Sequence, residues 1–118
     1  MLSIHSYREQ GTFVVELAGK MMGGTEQQEF HSQVKEAVDD GCNGAVIDLK
    51  NVEWLNSWGV GQLVSAYTTM KNKGGLLVLS GCSPKIMTIL KLTRFDSIFS
   101  FEPDLSAALT YCRTQISR

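Results

Sequence analysis

The chain has 118 residues, 43% hydrophobic and 19% charged, which is the balance of one globular domain spanning 1–118 and excludes a disordered chain. Lys and Arg number 11 against 12 Asp and Glu, a formal charge of −1, so the basic excess of a direct nucleic-acid partner is missing. The apolar runs are far shorter than the roughly 20 residues of a membrane span, and Met1 to His5 does not open a secretion signal; the expected setting is cytoplasmic, with no membrane partner.

Ser3 to Tyr7 reads as a short edge strand and Gln10-Gly11 as a turn. Thr12 to Leu17 is a β-rich run that a hairpin partner would bury; Gly19 is expected to end it, with Lys20 to Gly24 a loop. Thr25 is a candidate N-cap with Gln28 three residues on. Phe30, Val34, Ala37 and Val38 then recur at helical spacing, up to an Asp39-Asp40-Gly41 stop. Ala45 to Leu49 has no alternation, as in a strand buried on both faces. A second helix is predicted over 57–72, with Val60, Leu63, Val64, Tyr67 and Met70 as its stripe and Gly74-Gly75 as its end. Leu76 to Leu79 is another buried strand. Ser83-Pro84 opens a third helix, serine as cap and proline at the first helical position, where its missing N–H costs nothing. Ile98-Phe99 is the candidate last strand. Pro103 or Asp104 starts a C-terminal helix with Leu105, Ala108, Leu109, Cys112 and Ile116 on one stripe.

The order is ββαβαβαβα. It predicts an α/β fold, a single layer of four helices on a mixed sheet of four to five strands. Cys42, Cys82 and Cys112 are too far apart for a Cys-x-x-Cys site and read as free, partly buried thiols; no metal or other cofactor is expected.

The segment from Val52 to Gly61 carries the functional information: Val-Glu-Trp-Leu-Asn-Ser-Trp-Gly-Val-Gly. It joins a central strand to a helix start, where functional groups of parallel sheets gather. On the residues alone, Asn56 or Ser57 is a helix cap contributing about 1 kcal/mol. Ser57 is also placed for presentation to a partner, where the unpaired N–H groups of the helix start would hold an added phosphate, but on the residues alone the cap is the favoured reading. Gly59 and Gly61 permit close approach to the sheet or to a partner. Trp54 fits the core; Trp58 fits either core or an interface.

The ordered set of buried strand, Asn56-Ser57-Trp58-Gly59-Val60-Gly61, helix, Gly74-Gly75, strand, Ser83-Pro84 and a helix ending Leu92-Thr93 resembles the STAS domain family over essentially the whole chain. That family usually carries Asp-Ser-Ser/Thr-Gly-Leu-Gly at this place. The resemblance implies a stand-alone anti-sigma-factor antagonist that works by partner switching. Unphosphorylated, such a protein binds an anti-sigma factor that is a GHKL-type serine kinase; phosphorylation of Ser57 releases it, and a PP2C-type phosphatase resets it. The implied partner surface is Asn56, Trp58, Gly59, Met21 and Met22, and the implied state is a monomer or weak homodimer. Asn56 stands where Asp is usual, Trp58 at a small hydroxyl residue, Lys20-Met21-Met22 where Glu-Leu-Asp is frequent, and Arg94 at a customary glycine.

An enzyme fits the residues less well. Leu55 occupies the leading glycine of a Gly-x-Ser-x-Gly elbow, and His5 and His31 read as surface histidines without an Asp or Cys grouping beside them. The alternative within the family is an unmodified scaffold or small-ligand sensor, with Ser57 only a cap.

Overall fold

The computed structural model describes residues 2–23 and 25–116. Gln10 and Gly11 take φ of 50° and 83°, both positive, so strand β1 (Leu2–Glu9) turns directly into β2 (Thr12–Met21) as a two-residue hairpin. Helix α1 (Thr25–Asp39), strand β3 (Gly44–Leu55), α2 (Ser57–Asn72), β4 (Leu76–Ser80), α3 (Pro84–Leu92), β5 (Ser100–Glu102) and α4 (Leu105–Ile116) follow. The expected order and mixed α/β class are found, with five strands in the sheet. The capping pair expected of Thr25 and the stripe position of Ile116 lie outside the described side chains.

The sheet order is β1-β2-β3-β4-β5, antiparallel at the hairpin and parallel from β2 onward. Each new parallel strand is added on the same side, so three right-handed crossovers place α1, α2 and α3 on one face. Alternation along the strands shows it. Ala45, Ile47, Leu49, Leu77 and Leu79 share a cluster with Phe30, Leu63, Met70, Ile86 and Leu90. Val46 and Val78 point the other way and meet Ala108 and Cys112 of α4. The expected single layer therefore holds three helices. The fourth does not link two of these strands, is free of the crossover rule, and covers the opposite face. Each fully buried aliphatic side chain contributes roughly 1.5–3 kcal/mol over leaving it exposed.

Two boundaries differ from expectation. Gly19 does not end β2: it adopts φ 103° at an irregularity, and pairing resumes with Lys20 opposite Trp54 and Met21 opposite Leu55. Both central strands thus run past the rest of the sheet. The last strand is Ser100–Glu102, not Ile98-Phe99; Phe99 is buried because its ring packs edge-on to Tyr67 of α2, centroids 5.7 Å apart, while pairing begins with Ser100 opposite Val78. Among the described residues, no helix is long and apolar enough to cross a membrane.

α1, α2 and α3 end alike. In α1 the N–H groups of Gly41 and Cys42 donate to the carbonyls of Val38 and Ala37, in α2 those of Gly74 and Gly75 to Lys71 and Met70, in α3 those of Arg94 and Phe95 to Lys91 and Leu90. Gly41 and Gly74 supply the left-handed residue at φ 93° and 75°; in α3 it is Arg94, at φ 66°.

Candidate functional site

Because β2, β3 and β4 are parallel, their carboxyl ends share one edge, and α2 and α3 begin there. A single residue, Asn56, separates β3 from α2. Its extended backbone (φ −101°, ψ −169°) stops the strand and caps the helix: Oδ1 accepts from the Gly59 N–H at 3.0 Å. Its Nδ2 donates to the Met22 carbonyl at 3.3 Å, and its backbone N–H to the Met21 carbonyl at 3.3 Å. One side chain thus ties the end of β2 to the start of α2. An aspartate could supply the cap but has no N–H for Met22.

Gly59 is where the two elements meet. A Cβ there would lie 2.4 Å from the Met21 carbonyl oxygen and 2.8 Å from the Cβ atoms of Leu55 and Met21. Only glycine allows α2 to start this close to β2. Gly61 has no such duty, since a Cβ there would meet nothing within 4 Å.

With Asn56 as the cap, Ser57 is the first residue of α2, exposed, its hydroxyl not committed to capping. The N–H groups of Ser57 and Trp58 precede the first intrahelical bond and point out of the helix start. Trp58 beside it is 63% exposed, and Met22 across the Asn56 tie is 46% exposed. Met21 is 3% exposed: its side chain belongs to the core and shapes the site from beneath, while its carbonyl receives Asn56. A void of about 10 Å³ among Leu2, Met21, Phe30, Gly59 and Gln62 is room for at most about one water.

Trp54, expected in the core, is 40% exposed. The register passes from Gly19↔Val52 to Lys20↔Trp54, so Glu53 is an extra residue on β3 and Leu55, opposite Met21, takes the core position. The ammonium of Lys85, one residue into α3, lies 5.1 Å from the centre of the Trp54 ring. Lys20 stood out in the sequence only as a departure from the family's pattern and Lys85 not at all; their nearness to Trp54 was legible only once the strands were known to overrun.

Away from this edge, His5 and His31 are exposed. The Asp48 carboxylate accepts from the Lys50 N–H at 3.1 Å and the Ser80 hydroxyl at 3.3 Å. The three cysteines are free, and burial pushes the thiols of Cys82 and Cys112 up to about 11, which keeps them protonated and unreactive at neutral pH.

A family model for the STAS domain matches residues 3–108. An anti-sigma F factor antagonist of Paenibacillus polymyxa is 26% identical over 110 residues, 92% of this chain and 93% of the relative. Among solved structures, an anti-sigma factor antagonist from Mycobacterium paratuberculosis superposes with a TM-score of 0.81 at 26% identity, over 96% of this chain and 95% of that one. The phosphorylated form of the Bacillus cell fate determinant SpoIIAA shares the fold, with a TM-score of 0.68 at 14% identity over 85% and 91% of the two chains. With a family model covering residues 3–108 and the fold shared over nearly the whole chain, the chain belongs to the STAS domain family and resembles its anti-sigma-factor antagonists.

Proposed function

We propose that this chain is an anti-sigma-factor antagonist that switches partners through Ser57, a binding module and not an enzyme. Unmodified, it docks a GHKL-type anti-sigma serine kinase in the cytoplasm over the edge formed by Met22, Asn56, Ser57 and Trp58. The carrying observation is the division of labour at the start of α2. Asn56 does the capping, which leaves an exposed serine hydroxyl at the first helical position.

The kinase transfers the γ-phosphoryl group of ATP to the Ser57 Oγ. The new O–P bond forms as the bond to ADP breaks, and the hydroxyl proton is lost. The product carries roughly −1.5 to −2 charge. The free N–H groups of Ser57 and Trp58 suit it, so the fold tolerates the change. A closely fitted interface does not, because the dianion must be desolvated there. A PP2C-type phosphatase restores the hydroxyl. One STAS domain over 1–118, acting as a monomer or weak homodimer, is sufficient for this scheme.

Intact mass and peptide mapping across Trp54 to Lys71, before and after serine-phosphatase treatment of the protein from its native host, test the reading. A phosphatase-sensitive phosphoryl group on Ser57 is expected. Absence of modification under varied stress, together with no transfer from the host's anti-sigma kinases, would reject the switch in favour of an unmodified scaffold.

A further inference from the structure

We infer that the edge around Trp54 is a basic, aromatic dock for an acidic face of the partner protein. The inference takes the partner's identity from the switching scheme above and adds the chemistry of the contact. Trp54, Trp58 and Met22 are three of the large hydrophobic side chains that stand exposed, and they come from the ends of β3, α2 and β2 at one edge. Lysines from two further positions frame them. Lys20 is the register partner of Trp54 on β2 and shares its side of the sheet; Lys85 holds its ammonium over the Trp54 ring. Both lysines are exposed.

The counter-charges lie elsewhere. Among the described residues the ion pairs join Arg8 to Glu36 and Asp40, and Lys35 to Asp39, toward the hairpin and the end of α1. No such pair engages Lys20 or Lys85. Glu53, the extra residue beside Trp54, is the single carboxylate next to it in the strand. A partner that covers the tryptophans must desolvate the two ammonium groups, and it does so cheaply only by bringing carboxylates of its own. The stacked Lys85 is also held in place before binding, which lowers the ordering cost. An acidic partner face further explains release: a phosphoryl group on the neighbouring Ser57 has the same sign as the surface it would meet.

The test uses the purified chain with the host's anti-sigma kinase, titrated at several salt concentrations. The double variant Lys20→Glu, Lys85→Glu is expected to bind about tenfold or more weakly and to lose most of the salt dependence, with its melting temperature unchanged. Zero-length carbodiimide coupling should join Lys20 or Lys85 to an Asp or Glu of the kinase, and replacing that acid by Lys should restore the charge-reversed variant. Wild-type affinity in the double variant, with no such coupling, overturns the dock. If Ser57→Asp still abolishes binding in that case, the switch survives the loss. If Ser57→Asp binds as the wild type does while the lysine variants fail, the dock stands and the switch falls. Binding of phosphatidylglycerol vesicles or duplex DNA through these lysines, in place of the kinase, also overturns it.

Discussion

Gly59 and Gly61 sit two residues apart in α2 and should respond oppositely to the same methyl group. In Gly59→Ala the new Cβ lies 2.4 Å from the Met21 carbonyl oxygen and 2.8 Å from two Cβ atoms. That carbonyl is backbone and already accepts from the Asn56 N–H at 3.3 Å, so it cannot swing aside without breaking the tie. Overpacking of this kind costs roughly 1–3 kcal/mol or more. Relief comes only from moving the start of α2, which loosens the cap as well. The helix propensity of alanine returns about 1 kcal/mol. Against an overpacking cost at the upper end of that range, as contact with backbone demands, the net is a loss of up to about 2 kcal/mol, or up to about 8 °C in melting temperature at the ~4 °C per kcal/mol suited to a chain of this size. In Gly61→Ala nothing lies within 4 Å of the new atom, so only the propensity gain remains, about 1 kcal/mol and about 4 °C upward. Urea melts of the three proteins, with slopes compared to confirm a common unfolded state, measure both. A Gly59→Ala protein as stable as Gly61→Ala would refute the claim that close approach of α2 to β2 shapes this edge.

Four further outcomes follow from the structure. Asn56→Ala should cost about 1 kcal/mol in a urea melt. Asn56→Asp keeps the cap and gains from the helix dipole what it loses at the Met22 carbonyl, and should stay within about 0.5 kcal/mol of the wild type. Arg94→Gly relieves a left-handed residue at φ 66° but frees the unfolded chain, for a net gain of about 0.5 kcal/mol. Cys82 and Cys112 have folded pKa values raised from 9.0 to about 11, so their contribution is intact below pH 9 and drains away as pH rises from 9 toward 11. Melts across that window should fall more steeply for the wild type than for a Cys82→Ala, Cys112→Ala protein; parallel curves would contradict the assignment.

Most of the fold was legible because its signals are local. Gly41 and Gly74 end helices at the expected places, Ser83-Pro84 starts one, and α2 begins at Ser57. What escaped were features decided by pairing between distant strands. Gly19 read as a terminator because glycine usually stops a strand, yet β3 offers partners beyond it, and the chain resumes the ladder at Lys20. The extra residue at Glu53 then broke the alternation that would have placed Trp54 inside. The position of α4 was hidden for a different reason: its apolar stripe is the same whichever face of the sheet it covers. Ser57 was legible through its motif, and the assignment of Asn56 as the cap needed only the geometry to separate the two roles.

The adjacency of Trp54, Ser57 and Lys85 is a consequence of topology before it is one of sequence. Strands added in order, all parallel after the hairpin, carry the carboxyl ends of β2 to β5 and the helix starts that follow them to the same edge. Residue 22, the pair 54 and 57, and residue 85 lie far apart in the chain, but each is within a few positions of such a junction. The overrun of β2 and β3 carries the edge around α2 beyond the rest of the sheet, so a protein docking there as proposed would meet Met22, Trp54 and Trp58 together with the serine. The modification proposed at Ser57 would stand within four positions of Trp54 and Trp58, both exposed, where a partner would gain from burial and a dianion would be costly to desolvate. On the proposed switch, a phosphoryl group on Ser57 would need no conformational change to be felt, because the residue already stands at the junction.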